Sequence, residues 1–98
     1  MLVKWLITFW CLCSICTGKG PHDRGYGVTK SGKLATVGIT VACDPSLLGK
    51  RVRIAGIGRR VCEDIGGMVK GNHVDVLVRD HEEALRLGRQ ERQVEVLR

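Results

Sequence analysis

The stretch RVCEDIGGMVKGNHVDVLV (residues 60–78) decides how the rest of the chain is read. It sets one acid, Asp64, just before the Gly66-Gly67 pair, and a second, Asp75, inside a run of valines eleven residues later. Val74, Val76 and Val78 alternate with Asp75, Leu77 and Arg79, so a strand here turns its valines to one face and Asp75 to the other. Burying an unpaired carboxylate costs several kcal/mol. Asp75 therefore belongs to a solvated outer face, serves as an acceptor for the turn, or has a chemical task.

Outward from this stretch the pattern is of short strands. Residues 34–43 are rich in apolar positions of one parity, Val37, Ile39, Val41 and Cys43, and Asp44-Pro45-Ser46 ends the run. In residues 51–57, Val52 and Ile54 point one way and Arg51 and Arg53 the other, and Gly56 and Gly58 turn the chain into a strand over 59–63. After the valines, DHEEALRLG predicts a helix of two turns. Asp80 caps it, Glu83 completes a pattern like a capping box, and Gly88 stops it. Its packing face is Ala84, Leu85 and Leu87, with His81 solvated at its start. Residues 93–97 alternate again through Val94 and Val96. Five strands and one short helix in so short a chain predict an all-β fold, a small closed barrel with no exposed edges.

The chain has 98 residues, enough for one domain. Residues 1–18 hold Lys4 as their only charge and the apolar run WLITFWCLCSIC, too short to span a bilayer comfortably; they predict a signal peptide cleaved near Gly18, or an anchor. Residues 19–27, KGPHDRGYG, predict a linker, and residues 28–98 the folded domain. With 16 Lys and Arg against 10 Asp and Glu, the chain carries a formal charge of +6. An exported basic domain is drawn to anionic polymers such as the cell wall, and export argues against a nucleic-acid partner. The densest basic cluster, Lys50, Arg51, Arg53, Arg59 and Arg60, predicts a solvated strand pair whose charges guard an edge.

Past residue 18 only Cys43 and Cys62 remain; they form either a disulfide or two buried thiols. No metal is expected. That part of the chain has no CxxC, and His22, His73 and His81 lack ligand spacing.

VGITVACDP (37–45), IAGIGRRVCEDIGG (54–67) and MVKGNHVDVLVRDHEEALRLGRQERQVEVL (68–97) together resemble the three-aspartate (3D) domain, a six-stranded double-psi β-barrel of bacterial cell-wall proteins. The three acids are matched by Asp44, Asp64 and Asp75, and the resemblance implies a first strand drawn from residues 25–29. Ile65 stands where the family usually has Thr. Family members include the barrel of membrane-bound lytic transglycosylase A and the stationary-phase-survival wall enzymes. What the resemblance implies is cleavage of the β-1,4 bond between N-acetylmuramic acid and N-acetylglucosamine in peptidoglycan, with the muramyl 6-hydroxyl as internal nucleophile and a 1,6-anhydro product. Asp75 would be the proton donor and acceptor, supported by Asp64 and Asp44, with Gly66, Gly67 and Lys70 facing the glycan. No cofactor is expected. The partner is the glycan strand, the membrane enters only through a retained N-terminal segment, and a homodimer is left open. The alternative is a wall-binding barrel that does not cleave.

Overall fold

The computed structural model describes residues 3–13 and 27–98. Six strands close into a barrel: β1 (Lys4–Trp10), β2 (Thr40–Ala42), β3 (Arg51–Ile54), β4 (Gly58–Asp64), β5 (His73–Leu77) and β6 (Gln90–Leu97). Around the ring the order is β1, β5, β2, β4, β3, β6, and β6 pairs back onto β1. The pairs β1–β5 and β2–β4 are parallel, and the other four are antiparallel. This is the all-β six-stranded barrel that the resemblance implies. A 3-10 helix, Pro45–Leu47, follows β2, and the helix α1 (His81–Leu87) joins β5 to β6.

Alternation explains the core. Val52 and Ile54 of β3, Val74 and Val76 of β5, Val41 of β2 and Ile7 of β1 are all nearly inaccessible and form one cluster. Cys43 and Cys62 lie in the same cluster, joined by a disulfide across 5.6 Å between their α-carbons. Closing a loop of this length contributes on the order of 3 kcal/mol, a large share for so small a domain. Asp80 caps α1, its Oδ1 accepting from the Glu83 N–H at 2.8 Å, while Glu83 Oε1 accepts from the Arg79 N–H.

Several expectations need correction. The apolar segment expected as a leader or anchor supplies β1, so residues 4–10 are part of the folded domain. Trp5, Ile7 and Phe9 face the core while α1 packs against the strand from outside, so both faces are apolar and the period-two signal vanishes. The expected cleavage point and most of the expected linker lie outside the described residues. The first strand, expected from residues 25–29, is β1; of that stretch residues 25 and 26 lie outside the described residues, and Val28 makes an isolated bridge to Leu34. The strand expected from residue 34 begins at Thr40, because a turn over 36–39 precedes it and leaves Val37 and Ile39 each 46% exposed. Leu85, expected on the packing face of α1, is 68% exposed. The basic strand pair guards no edge, since β3 is paired on both sides, and Arg53 meets Glu95 of β6 at 3.1 Å. Among the described residues no helix is long and apolar enough to cross a membrane.

A chain begun at Lys19 would lack β1, leaving β5 and β6 each with an unpaired side. We expect this truncated protein to show no cooperative thermal transition by circular dichroism, whereas the full chain does. Equal cooperativity in both would mean that the barrel closes without β1.

Candidate active site

Register brings the acids together. Ala42 on β2 is paired with Asp75 of β5 on one side and Asp64 of β4 on the other, and Asp75 is in turn paired with Thr8 of β1. Paired residues of adjacent strands project to the same face, so Thr8, Asp75, Ala42 and Asp64 form one row across four strands. The methyl group of Ala42 leaves space between the two acids. A bulge makes this row possible: Thr40 and Val41 pair with Val61 and Cys62, but Ala42 pairs with Asp64, skipping Glu63. Glu63 is buried instead, accepting from Thr40 Oγ1 at 2.7 Å.

The row opens into a pocket of about 420 Å³ lined by Trp10, Asp64, Ile65, Gly66, Gly67 and Asp75, with Ala42 at its floor. Four of the expected site residues, Asp64, Asp75, Gly66 and Gly67, are therefore together. Gly66 is required by close packing, because a β-carbon there would stand 2.9 Å from Val69 Cγ2.

Asp44 and Lys70 do not line the pocket. Asp44 is a fastener: its Oδ1 accepts from the Ser46 N–H at 2.9 Å and its Oδ2 from the Gly71 N–H at 2.7 Å. The Gly71 amide, then the Ser46 groups, and last the charge of Lys70 hold its carboxyl down at about 2. Gly71 has φ of 64°, a conformation that glycine adopts without strain, and this presents its N–H to the acid. Asp64 Oδ1 accepts from the backbone N–H groups of Lys30 and Ile65, both at 3.0 Å.

Asp75 is set differently. Burial raises its carboxyl above the usual range, opposed by the Thr8 hydrogen bond and the charge of His73 and aided by the charge of Asp64. Thr8 Oγ1 donates to Asp75 Oδ1 at 2.9 Å and also meets His73 Nε2 at 2.8 Å, while His73 Nδ1 lies 3.1 Å from the Met68 carbonyl oxygen. With its hydroxyl proton given to Asp75, the Thr8 oxygen remains an acceptor for the His73 ring, so one hydroxyl links the acid to the imidazole.

Thr8, Trp10 and His73 were not among the expected site residues. Thr8 is the single hydroxyl between Ile7 and Phe9, inside the segment taken as a leader, and His73 begins the valine strand. Without the pairing of β1 with β5, nothing in the chain links these positions to Asp75.

A carboxyl with a raised folded pKa binds its proton more tightly in the folded state. Its contribution to stability falls as pH rises from the unfolded value, about 4, through the raised one. Asp75→Asn should therefore melt above the wild type at neutral pH, with the difference closing below about pH 4. A lower melting temperature for the variant at neutral pH would mean that pairing with Thr8 and His73 outweighs burial.

Comparison with protein families gives a match to the 3D domain over residues 39–98, which includes Asp44, Asp64 and Asp75 and begins after β1. Comparison with curated proteins gives no match.

Proposed function

The chain belongs to the 3D domain family, which is associated with cell-wall lytic transglycosylase-like domains, and on that premise we propose that it is a peptidoglycan lytic transglycosylase. The observation that supports this reading is a half-buried carboxyl, Asp75, with a raised pKa and a hydrogen-bonded hydroxyl, in a pocket shared with a second acid. A general acid must hold its proton until the leaving oxygen needs it, and burial gives Asp75 that property.

In the proposed reaction Asp75 gives its proton to the glycosidic oxygen as the bond from that oxygen to the muramyl anomeric carbon breaks. The muramyl 6-hydroxyl attacks the same carbon, and its proton passes to Asp75. One acid thus serves twice and no water is consumed, in contrast to hydrolases that need a second carboxyl to act on water or on the sugar. With Oδ1 held by Thr8, Oδ2 is left for proton transfer. Between the two transfers Asp75 is a carboxylate, the state that the Thr8 hydrogen bond and the charge of His73 favour. Asp64 contributes negative charge beside Asp75, which favours the protonated acid at the outset. The disulfide and the cell-wall family together support residence outside the cytoplasm.

A wall-binding barrel without catalysis is the second reading. It is favoured by Ile65, whose side chain brings no hydroxyl to the pocket. Incubating the full chain with peptidoglycan sacculi and reading released fragments by mass spectrometry separates the two. We expect 1,6-anhydro products, reduced at least ~100-fold by Asp75→Asn and roughly 10-fold or more by Thr8→Val. Reducing-end products would make water the nucleophile. No release, with the protein still sedimenting with sacculi, would leave only the binding function.

A further inference from the structure

Cys11, Cys13 and His81 meet where β1 ends and α1 begins. Cys11 follows the last residue of β1 and is 1% exposed, while Cys13 and His81 are half-buried. One donor atom from each lies within 4.8 Å of the other two, and the two sulfurs are 3.0 Å apart. Backbone contacts build this approach. The Val78 N–H donates to the Trp10 carbonyl at 2.8 Å, which aligns the end of β1 with the end of β5. Asp80 then caps α1, fixing the start of the helix at His81, and α1 lies against β1.

Two thiols and an imidazole are a soft donor set. Calcium and magnesium prefer oxygen ligands, whereas zinc takes sulfur and nitrogen in a tetrahedron. Zinc bonds of about 2.3 Å to sulfur and 2.0–2.1 Å to nitrogen place donor atoms ~3.5–3.8 Å apart. The three donors are within about an ångström of that arrangement before any side chain moves.

We propose that Cys11, Cys13 and His81 are three protein ligands of a structural zinc ion. The fourth position belongs to water or another donor. Binding converts both thiols to thiolates: two S–H bonds break, two zinc–sulfur bonds and one zinc–nitrogen bond form, and two protons go to solvent. The ion ties β1 to the turn between β5 and α1, and so secures the strand pair that carries Thr8 and Asp75. The expectation of no metal, and of His81 as a solvated residue, arose because the cysteines were assigned to a leader.

The site is tested on the full chain, purified without a metal-affinity tag. Elemental analysis of the gel-filtered protein should give one zinc per chain, and Cys11→Ser with Cys13→Ser should abolish it. The single variant His81→Ala, which keeps both sulfurs, should weaken zinc at least tenfold in competition with a chromophoric chelator. Cobalt in place of zinc should show thiolate-to-metal charge transfer and the intense visible bands of a tetrahedral site. Stripping zinc from the wild type should lower the melting temperature by several degrees or abolish the transition, and returning zinc should restore it. A cooperatively folded wild type that binds no added zinc overturns the proposal, as does full zinc occupancy in the double cysteine variant. A peptide map showing Cys11 bridged to Cys13 in freshly isolated protein, with no metal bound, overturns it too.

Discussion

The pairing of Ala42 with Asp64 on one side and Asp75 on the other is the constraint on which the site depends. It comes from a one-residue bulge in a parallel ladder. If β4 ran against β2 without it, Glu63 would stand level with Ala42, and Asp64 would be carried to the opposite face. The bulge sits between the positions of the disulfide, Cys62 on β4 and Cys43 just past β2. A covalent link of this kind holds the two strands at the register where the shift occurs. The Cys43 N–H donating to the Asp64 carbonyl fixes the same point through the backbone. Asp44 is the next residue and turns outward to secure the loop at Gly71, so two consecutive residues brace the site from opposite sides.

The strand pattern was plainest in β3 and in the first four residues of β5, where buried positions alternate with more exposed ones. Val52 and Ile54, or Val74 and Val76, alternate with polar neighbours, and the period of two is plain. The cap of α1 was equally plain, since Asp80 and Glu83 stand at the required separation. β1 was not legible. Its outer face is covered by α1 and its inner face by the core, so Trp5 to Trp10 is apolar throughout but for Thr8. Hydrophobic content alone does not tell such a strand from a short leader. Residues 37–39 failed for the opposite reason: Val37 and Ile39 have the right parity, but Gly38 at φ of 90° belongs to a turn.

The acids of the site were legible as residue types, and the resemblance implied a role for each, but the environments that distinguish them were not legible. Asp44, Asp64 and Asp75 look alike in the sequence, yet the fold gives each a separate environment. Asp44 accepts two backbone N–H groups and is held strongly acidic; Asp64 accepts two as well while lining the pocket; Asp75 is offered a hydroxyl and low solvent access. Hydrogen bonds from backbone amides stabilise the charged form, and desolvation stabilises the neutral one. Only a topology that sets β1 beside β5 supplies the surroundings that set Asp75 apart, because Thr8 comes from a segment far away in the chain.

That topology also explains how a barrel of this size raises the pKa of an acid without a deep cleft. Asp75 lies on the outer face of β5, where a strand residue would ordinarily be solvated. Trp10, one pleat along from Thr8 on the same face of β1, lines the pocket and excludes water from one side, while the loop through Gly66 and Gly67 walls another. The balance at Asp75 is thus a product of strand order: moving β1 elsewhere in the ring would remove the cover that Trp10 gives, and with it the Thr8 hydroxyl, whose hydrogen bond opposes the rise and links Asp75 to His73. β1 is therefore both a structural strand and part of the surroundings of Asp75, and the contacts that hold it beside β5 govern the acid as directly as the residues that touch it.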